Sequence, residues 1–396
     1  MASGVSGSLH DLHRPTWAEI DLDALVQNLG VVRSRTGLRP ILAVVKADAY
    51  GHGAARVART FEEEGIEWLG VALPEEGVEL RAAGVERPIF VLGGFAPPQA
   101  DLLLAHRLTP AIYRPDQVEA LARAALNRGI RATAHIKIDS GMGRLGVPAA
   151  DLPAFLTTLR PWAERIGIEG VFSHLSVADD PRDPYTTGQI SVFRDAVETI
   201  RQAGMHPSLI HLANSAAVID HPPAWLTLVR PGLILYGYPP SDRMSAVPIH
   251  PVLSLRSRII YVKEVPKGTS IGYGRTFIAE RNCRIATLAI GYDDGLPRLL
   301  SNRGHVLLGG RRAPIVGRIS MDLTTIDVSH LDGVTPGDEA ILLGSAGEER
   351  LGADILATWA ETIPWEILCG IGSRVPRLYR RAGGSELRSR FAKSLV

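Results

Sequence analysis

Eight short apolar runs recur between about residues 40 and 240, and their spacing constrains the fold more than any other feature of the chain. They are Ile41 to Lys46, Trp68 to Ala72, Pro88 to Leu92, Thr109 to Tyr113, Thr133 to Ile138, Ile168 to His174, Leu209 to Leu212 and Leu226 to Arg230. Between them lie segments such as Glu75 to Ala83 and Asp116 to Asn127, where apolar residues recur at steps of three and four. That is the period of an amphipathic helix. Strands alternating with helices imply parallel pairing through crossovers, and eight such units suggest a closed (β/α)8 barrel of the TIM type. An open doubly wound sheet is the alternative.

The rhythm changes after about Pro240. Leu253 to Val262, Cys283 to Ile290, His305 to Leu308, Arg312 to Val316, Leu323 to Asp327 and Glu339 to Leu343 follow one another with little helix between, punctuated by Gly and Pro. This predicts a second, mostly β domain with one helix near Ala353 to Thr362. The expected division is a disordered segment over 1–14, the barrel over 15–245, the β domain over 246–382 and a flexible tail over 383–396.

A chain of 396 residues with 45% hydrophobic and 21% charged residues and a formal net charge of +1 suits a two-domain globular enzyme. That balance gives no electrostatic reason to expect nucleic acid or a membrane surface as partner. Two distant cysteines, Cys283 and Cys369, make no disulfide framework, and a reducing cytoplasm is the simpler reading. No apolar stretch approaches the ~20 residues that span a bilayer.

Reactive groups of a barrel sit where strands end and loops begin. The first run ends in Lys46, followed by Ala47-Asp48-Ala49-Tyr50-Gly51-His52-Gly53. Burying an ammonium group is costly. Lys46 therefore either reaches solvent at the rim or forms a Schiff base with an aldehyde cofactor. Beyond another run lies Arg144 in a glycine-rich loop, and other runs end in His174, in Asn214 and Ser215, and in Arg230 followed by the Pro231-Gly232-Leu233 turn. Glycine-lined turns with free N–H groups, together with Ser215, suit a phosphate. No metal site is expected.

The stretch Ala43-Val44-Val45-Lys46-Ala47-Asp48-Ala49-Tyr50-Gly51-His52-Gly53 resembles the pyridoxal-phosphate attachment signature of alanine racemases. The likeness continues through Gly141-Met142-Gly143-Arg144-Leu145-Gly146, Arg230-Pro231-Gly232, Gly272-Tyr273-Gly274-Arg275-Thr276-Phe277, Gly291-Tyr292, Gly317-Arg318-Ile319-Ser320-Met321-Asp322 and Arg374-Val375-Pro376-Arg377, and covers roughly residues 15 to 380 in the family's order. The resemblance implies that Lys46 carries pyridoxal 5'-phosphate. It places Tyr50, Ser215 and the backbone of Gly232 and Leu233 at the phosphate, and His174 against the pyridine ring with Asn214 nearby. Arg230 faces the pyridine nitrogen and Arg144 the phenolic oxygen. Lys46 and Tyr273 act as the two bases on opposite faces of the substrate, Tyr273 coming from the partner subunit of a homodimer. Met321 offers its backbone N–H to the substrate carboxylate, and Arg144 contributes to substrate binding. Lys137 matches a position that is carbamylated in several family members. An arginine stays protonated, so Arg230 discourages protonation of the nitrogen it faces.

The chain departs from the family at Trp365, where tyrosine is usual; that tyrosine bonds the phosphate and narrows the entrance. Trp keeps one donor, but its N–H points elsewhere. Ser320 stands where many members have Cys, and Asp293 replaces a more usual Ala. The implied activity is racemisation of alanine, supplying D-alanine for peptidoglycan. The alternatives are a serine or broad-specificity racemase of this fold, an amino-acid decarboxylase with a similar barrel and β domain, and a non-catalytic pyridoxal-phosphate protein.

Overall fold

The computed structural model describes residues 14–37 and 39–389. The expected disorder over 1–14 falls almost wholly outside these residues, as does the end of the expected tail, 390–396. The chain divides into two compact units, one of residues 26–49 and 53–250, the other of the chain up to 25 with 50–52 and 251 onward.

In the first unit, seven parallel strands follow one another in chain order: Leu42–Val44, Trp68–Val71, Ile89–Val91, Leu108–Ile112, Ala132–Asp139, Ile166–Phe172 and Leu209–His211. The eighth run forms no full strand. Val229 instead makes a single parallel bridge to Ile41. Thr227 N donates to Ile210 O at 3.1 Å and Leu42 N to Val229 O at 2.9 Å, so the ring closes through these bonds. The expected barrel is therefore present, with its last stave shortened.

Helices separate the strands, and their sequences explain them. The helix Pro115–Arg128 starts with proline at its first position, where no N–H is needed, and ends at Gly129 in a left-handed conformation (φ 65°). It buries Val118, Leu121, Ala122 and Ala125 on one stripe. Burial of side chains the size of Val118 and Leu121 contributes about 1.5–3 kcal/mol each. The barrel interior holds Phe90, His135, Phe172 and His211, with ring centroids 4.5 Å apart for Phe90–His135 and 5.1 Å for Phe172–His211.

The second unit is built on the strand Leu253–Val265. It pairs antiparallel with Thr16–Asp21, Cys283–Leu288 and Glu339–Ala346. Register shifts at Leu255/Arg256 and Ile259/Tyr261 let so long a strand change neighbours along its length. Two boundaries differ from the sequence-based expectation. Thr16–Asp21 belongs to this sheet and not to the barrel: it also pairs parallel with Arg377–Arg381. Gly384–Arg388 is a strand paired antiparallel with Arg377–Arg381, so this part of the chain is not tail. Among the described residues, no helix is long and apolar enough to cross a membrane.

Candidate active site

Lys46 follows the buried strand Leu42–Val44 and is half-buried. The four residues after it, Ala47, Asp48, Ala49 and Tyr50, all lie in the left-handed region with φ of 52° to 53°. For L-residues this conformation costs roughly 1–2 kcal/mol each, so its surroundings must impose it. Ala49 N donates to Val45 O at 3.0 Å and Gly53 N to Asp48 O at 2.9 Å. The Asp48 carboxylate accepts from Ala54 N at 2.7 Å. Glu76, at the start of the helix Pro74–Ala82, accepts from Ala47 N at 2.6 Å, from Ala72 N at 2.7 Å and from Leu73 N at 3.1 Å. Tyr236 donates its hydroxyl to Val44 O at 2.9 Å. Strain held in place by several partners is a mark of functional segments.

Within the same unit, Arg144, Arg230 and Lys46 stand close enough to Lys137 to shift its titration. Burial, then Arg144, Arg230 and Lys46, push the Lys137 amine down to about 8. Burial and then Arg230, Arg144, Lys137 and Lys46 push His174 down to about 3, so its imidazole is neutral at physiological pH. Arg230 is 4% exposed, and burial lowers it to about 9, which leaves it charged. Its Nη2 donates to Ser173 O at 2.6 Å and Leu212 O at 3.2 Å, and its Nη1 lies 3.3 Å from His211 Nδ1. Among the described residues, Lys137, Arg144 and Arg230 form no ion pair with a carboxylate. Arg144 is exposed, in a loop shaped by Asp139, whose carboxylate accepts from Gly141 N at 3.0 Å and Gly143 N at 3.1 Å.

Ser215 starts the short helix Ser215–Asp220, and its hydroxyl accepts from Gly232 N at 2.8 Å and Ile234 N at 3.4 Å. The run Gly232-Leu233 is thereby drawn to Ser215. Asn214 has a structural duty, because its side-chain oxygen caps the helix by accepting from Ala217 N at 3.0 Å.

Four expected site residues belong to the β unit. Tyr50 is buried, and burial, then Cys369, raise its phenol well above the usual range, so it remains a hydrogen-bond donor. Trp365 is half-buried on the helix Pro364–Cys369. Tyr273 stands in a turn between Gly272 and Gly274, whose φ values of 74° and 69° favour glycine, and it is 72% exposed. Met321 is also exposed, as is Tyr292. Their loops are joined, with Tyr292 N donating to Ser320 O at 3.0 Å and Asp293 N to Met321 O at 3.1 Å.

Sequence reasoning did not single out Glu76, Ser173 or His211. Glu76 carried a signal, a glutamate two residues after the proline that opens a helix. The other two touch Arg230 only through folding.

Residues 20–240 match the family model for the alanine racemase N-terminal domain, and residues 252–379 match that for the C-terminal domain. This chain belongs to the alanine racemase family. The alanine racemase of Halothermothrix orenii is 44% identical over 94% of this chain and 98% of its own. The crystal structure of alanine racemase from Bacillus anthracis with bound L-Ala-P superimposes with a TM-score of 0.91 at 33% identity, covering 97% of this chain and all of that one. That from Bartonella henselae with covalently bound pyridoxal phosphate does so with a TM-score of 0.83 at 29% identity, covering 92% and 99%. Alanine racemases are pyridoxal-phosphate enzymes, and that cofactor is an anion, which suits a group containing Lys137, Arg144 and Arg230, none of which forms an ion pair with a carboxylate among the described residues.

Proposed function

We propose that this chain interconverts L-alanine and D-alanine, with pyridoxal phosphate joined to Lys46, as a cytoplasmic homodimer that supplies D-alanine for peptidoglycan. The observation that carries this reading is the group Lys46, Lys137, Arg144 and Arg230 in one unit, of which Lys137, Arg144 and Arg230 form no ion pair with a carboxylate among the described residues. A site so unbalanced needs an anion. The hydroxyl of Ser215 and the backbone N–H groups of Gly232 and Leu233 would hold the cofactor phosphate, with Tyr50 as a further donor. His174, kept neutral, would lie against the ring, with Asn214 at its edge. Arg144 would meet the phenolic oxygen and Arg230 the pyridine nitrogen. Trp365 lies where the family usually has the phosphate-bonding tyrosine.

When bound, pyridoxal phosphate supplies an electron sink for negative charge at the substrate Cα. The chain's own residues do the rest. Lys46 takes the Cα proton on one face onto its Nζ, and the partner subunit's Tyr273 returns a proton from its hydroxyl on the other; the reverse reaction exchanges the roles. Met321 holds the substrate carboxylate through its backbone N–H, with Arg144 beside it. Arg230 stays charged at neutral pH and so offers a hydrogen bond without offering a proton, which restrains protonation at the wrong carbon. The Lys137 amine, in its neutral form, can add CO2, forming a C–N bond and releasing one proton, and the resulting carbamate would orient Arg144.

A Tyr273 exposed to this degree cannot confine a proton by itself, which suits a site completed by a second copy of the chain.

Borohydride reduction followed by peptide mapping should fix the cofactor on Lys46, and incubation with L-Ala, L-Ser and L-Lys should erase the optical rotation of alanine alone. A label on any other lysine, racemisation of serine, or release of CO2 would each replace this reading.

A further inference from the structure

Arg230 is a fully charged group in the barrel interior whose polar partners are two carbonyls and one imidazole. From that imidazole a line of polar atoms continues. His211 Nε2 lies 2.9 Å from His135 Nδ1, and His135 Nε2 lies 3.7 Å from a carboxylate oxygen of Glu169. Both histidines are 0% exposed, whereas the Glu169 side chain is 34% exposed.

The proton positions follow from the inventory of donors. Arginine only donates, so His211 Nδ1 must accept. A neutral His211 then carries its proton on Nε2 and donates to His135 Nδ1. His135 in turn carries its proton on Nε2, which has no hydrogen-bond partner at bonding distance among the described residues. The Glu169 carboxylate faces it, just beyond direct bonding reach. A buried N–H without an acceptor is costly, so the facing carboxylate gives that proton its direction. Burial keeps both histidines below their usual range, in agreement with two neutral rings.

The rings are held in this alignment by their neighbours. Phe90 stacks on His135, and Phe172 stacks on His211. His135 is paired in register with Gly170, the residue after Glu169. A Cβ at Gly170 would fall 2.6 Å from His135 Nδ1, so glycine there makes room for the ring.

We propose that Glu169 is a positioning residue: acting through His135 and His211, it serves as the distant counter-charge that aligns and steadies Arg230. This rests on the assignment of Arg230 to the active site. The relay has a single direction, Arg230 to His211 to His135 to Glu169, with a donor-only group at one end and an acceptor-only group at the other.

The test uses the full chain labelled with 15N-histidine, compared with Glu169→Ala and Glu169→Gln, whose folding is checked by circular dichroism. Two-bond proton–nitrogen correlation spectra should show His135 and His211 neutral at pH 7 with protons on Nε2. In Glu169→Ala the signals of His211, which Glu169 does not touch, should move. Glu169→Gln retains an acceptor and should keep both tautomers. In the holoenzyme, Glu169→Ala should lower kcat several-fold with KM for alanine unchanged. A proton on Nδ1 of either ring, or His211 signals unaltered in Glu169→Ala, would overturn the relay. The spectra do not require the cofactor, so this failure is distinct from a failure to trap it on Lys46.

Discussion

Glu76 binds the backbone of Ala47, the residue immediately after Lys46, so the carboxylate of one barrel helix holds the left-handed turn that follows that lysine. The same carboxylate also collects the N–H groups of Ala72 and Leu73. Hydrogen bonds to a charged group contribute about 1.5–3 kcal/mol each, less where water competes. Glu76→Ala should release Ala47 and let the left-handed turn relax toward ordinary conformations. The expected result is a loss of stability on the order of 1–2 kcal/mol by urea denaturation, together with a larger fall in the rate of pyridoxal-phosphate attachment to Lys46. A variant that binds cofactor at the original rate would show that the turn holds itself.

The left-handed turn also marks where sequence reading stops. Asp48 is of a type that visits positive φ, but Ala47, Ala49 and Tyr50 have side chains that give no warning of it. The barrel was legible because its strands are buried on both faces and read as plain apolar runs. Thr16–Asp21 falls within the barrel's range by its place in the sequence, yet its partners are Leu253–Val265 and Arg377–Arg381, more than 200 residues away. No local pattern names a partner that distant. Gly384–Arg388 reads as polar tail because an edge strand has little to bury. At the site, Lys46, Arg144, His174 and Arg230 are legible by type and place and Lys137 through the family resemblance, and the five do come together electrostatically. Asn214 was legible only as a polar residue, and its capping bond to Ala217 is a local duty that the pattern of run ends did not separate from cofactor binding.

Stability should fall with acid. His174 is held down to about 3 in the folded chain, against an ordinary value of 6.5. His135 and His211 are lowered in the same direction, chiefly by burial. Between 6.5 and about 3 the unfolded chain therefore binds more protons than the folded one, so stability rises with pH across this window. The contribution is present at pH 7 and is lost progressively as pH drops below 6.5. Urea midpoints measured from pH 7 downward should decrease, and His174→Gln should flatten part of that slope. A midpoint indifferent to pH across the window would mean that these rings are not neutral in the fold.

Lys137 gives a prediction with the opposite pH sense. Only a neutral amine adds CO2, and burial with three neighbouring cations brings Lys137 down to about 8. Its neutral fraction, and with it the carbamate, should grow as pH rises toward and past that value. Protein equilibrated with 13C-bicarbonate should give a carbamate carbon resonance that is absent from Lys137→Ala. If the carbamate orients Arg144, its removal loses a charge-assisted bond of roughly 1.5–3 kcal/mol, or about ten- to a hundredfold in KM for alanine. A wild-type protein with no such resonance at pH 9 would leave Arg144 without this support.

The exposure of Tyr273 leads to a test of the shared site. Lys46 and Tyr273 belong to different compact units of the chain. If each active site takes Lys46 from one subunit and Tyr273 from the other, Lys46→Ala and Tyr273→Ala are each inactive as homodimers. A heterodimer of the two has one site that lacks both residues and one that lacks neither. Equal mixing with free subunit exchange should therefore restore about a quarter of wild-type activity, since half the dimers are mixed and each has one intact site of two. Two differently tagged variants allow exchange to be verified by co-purification. Activity that stays at zero after verified exchange would place Lys46 and Tyr273 of a working site in the same subunit.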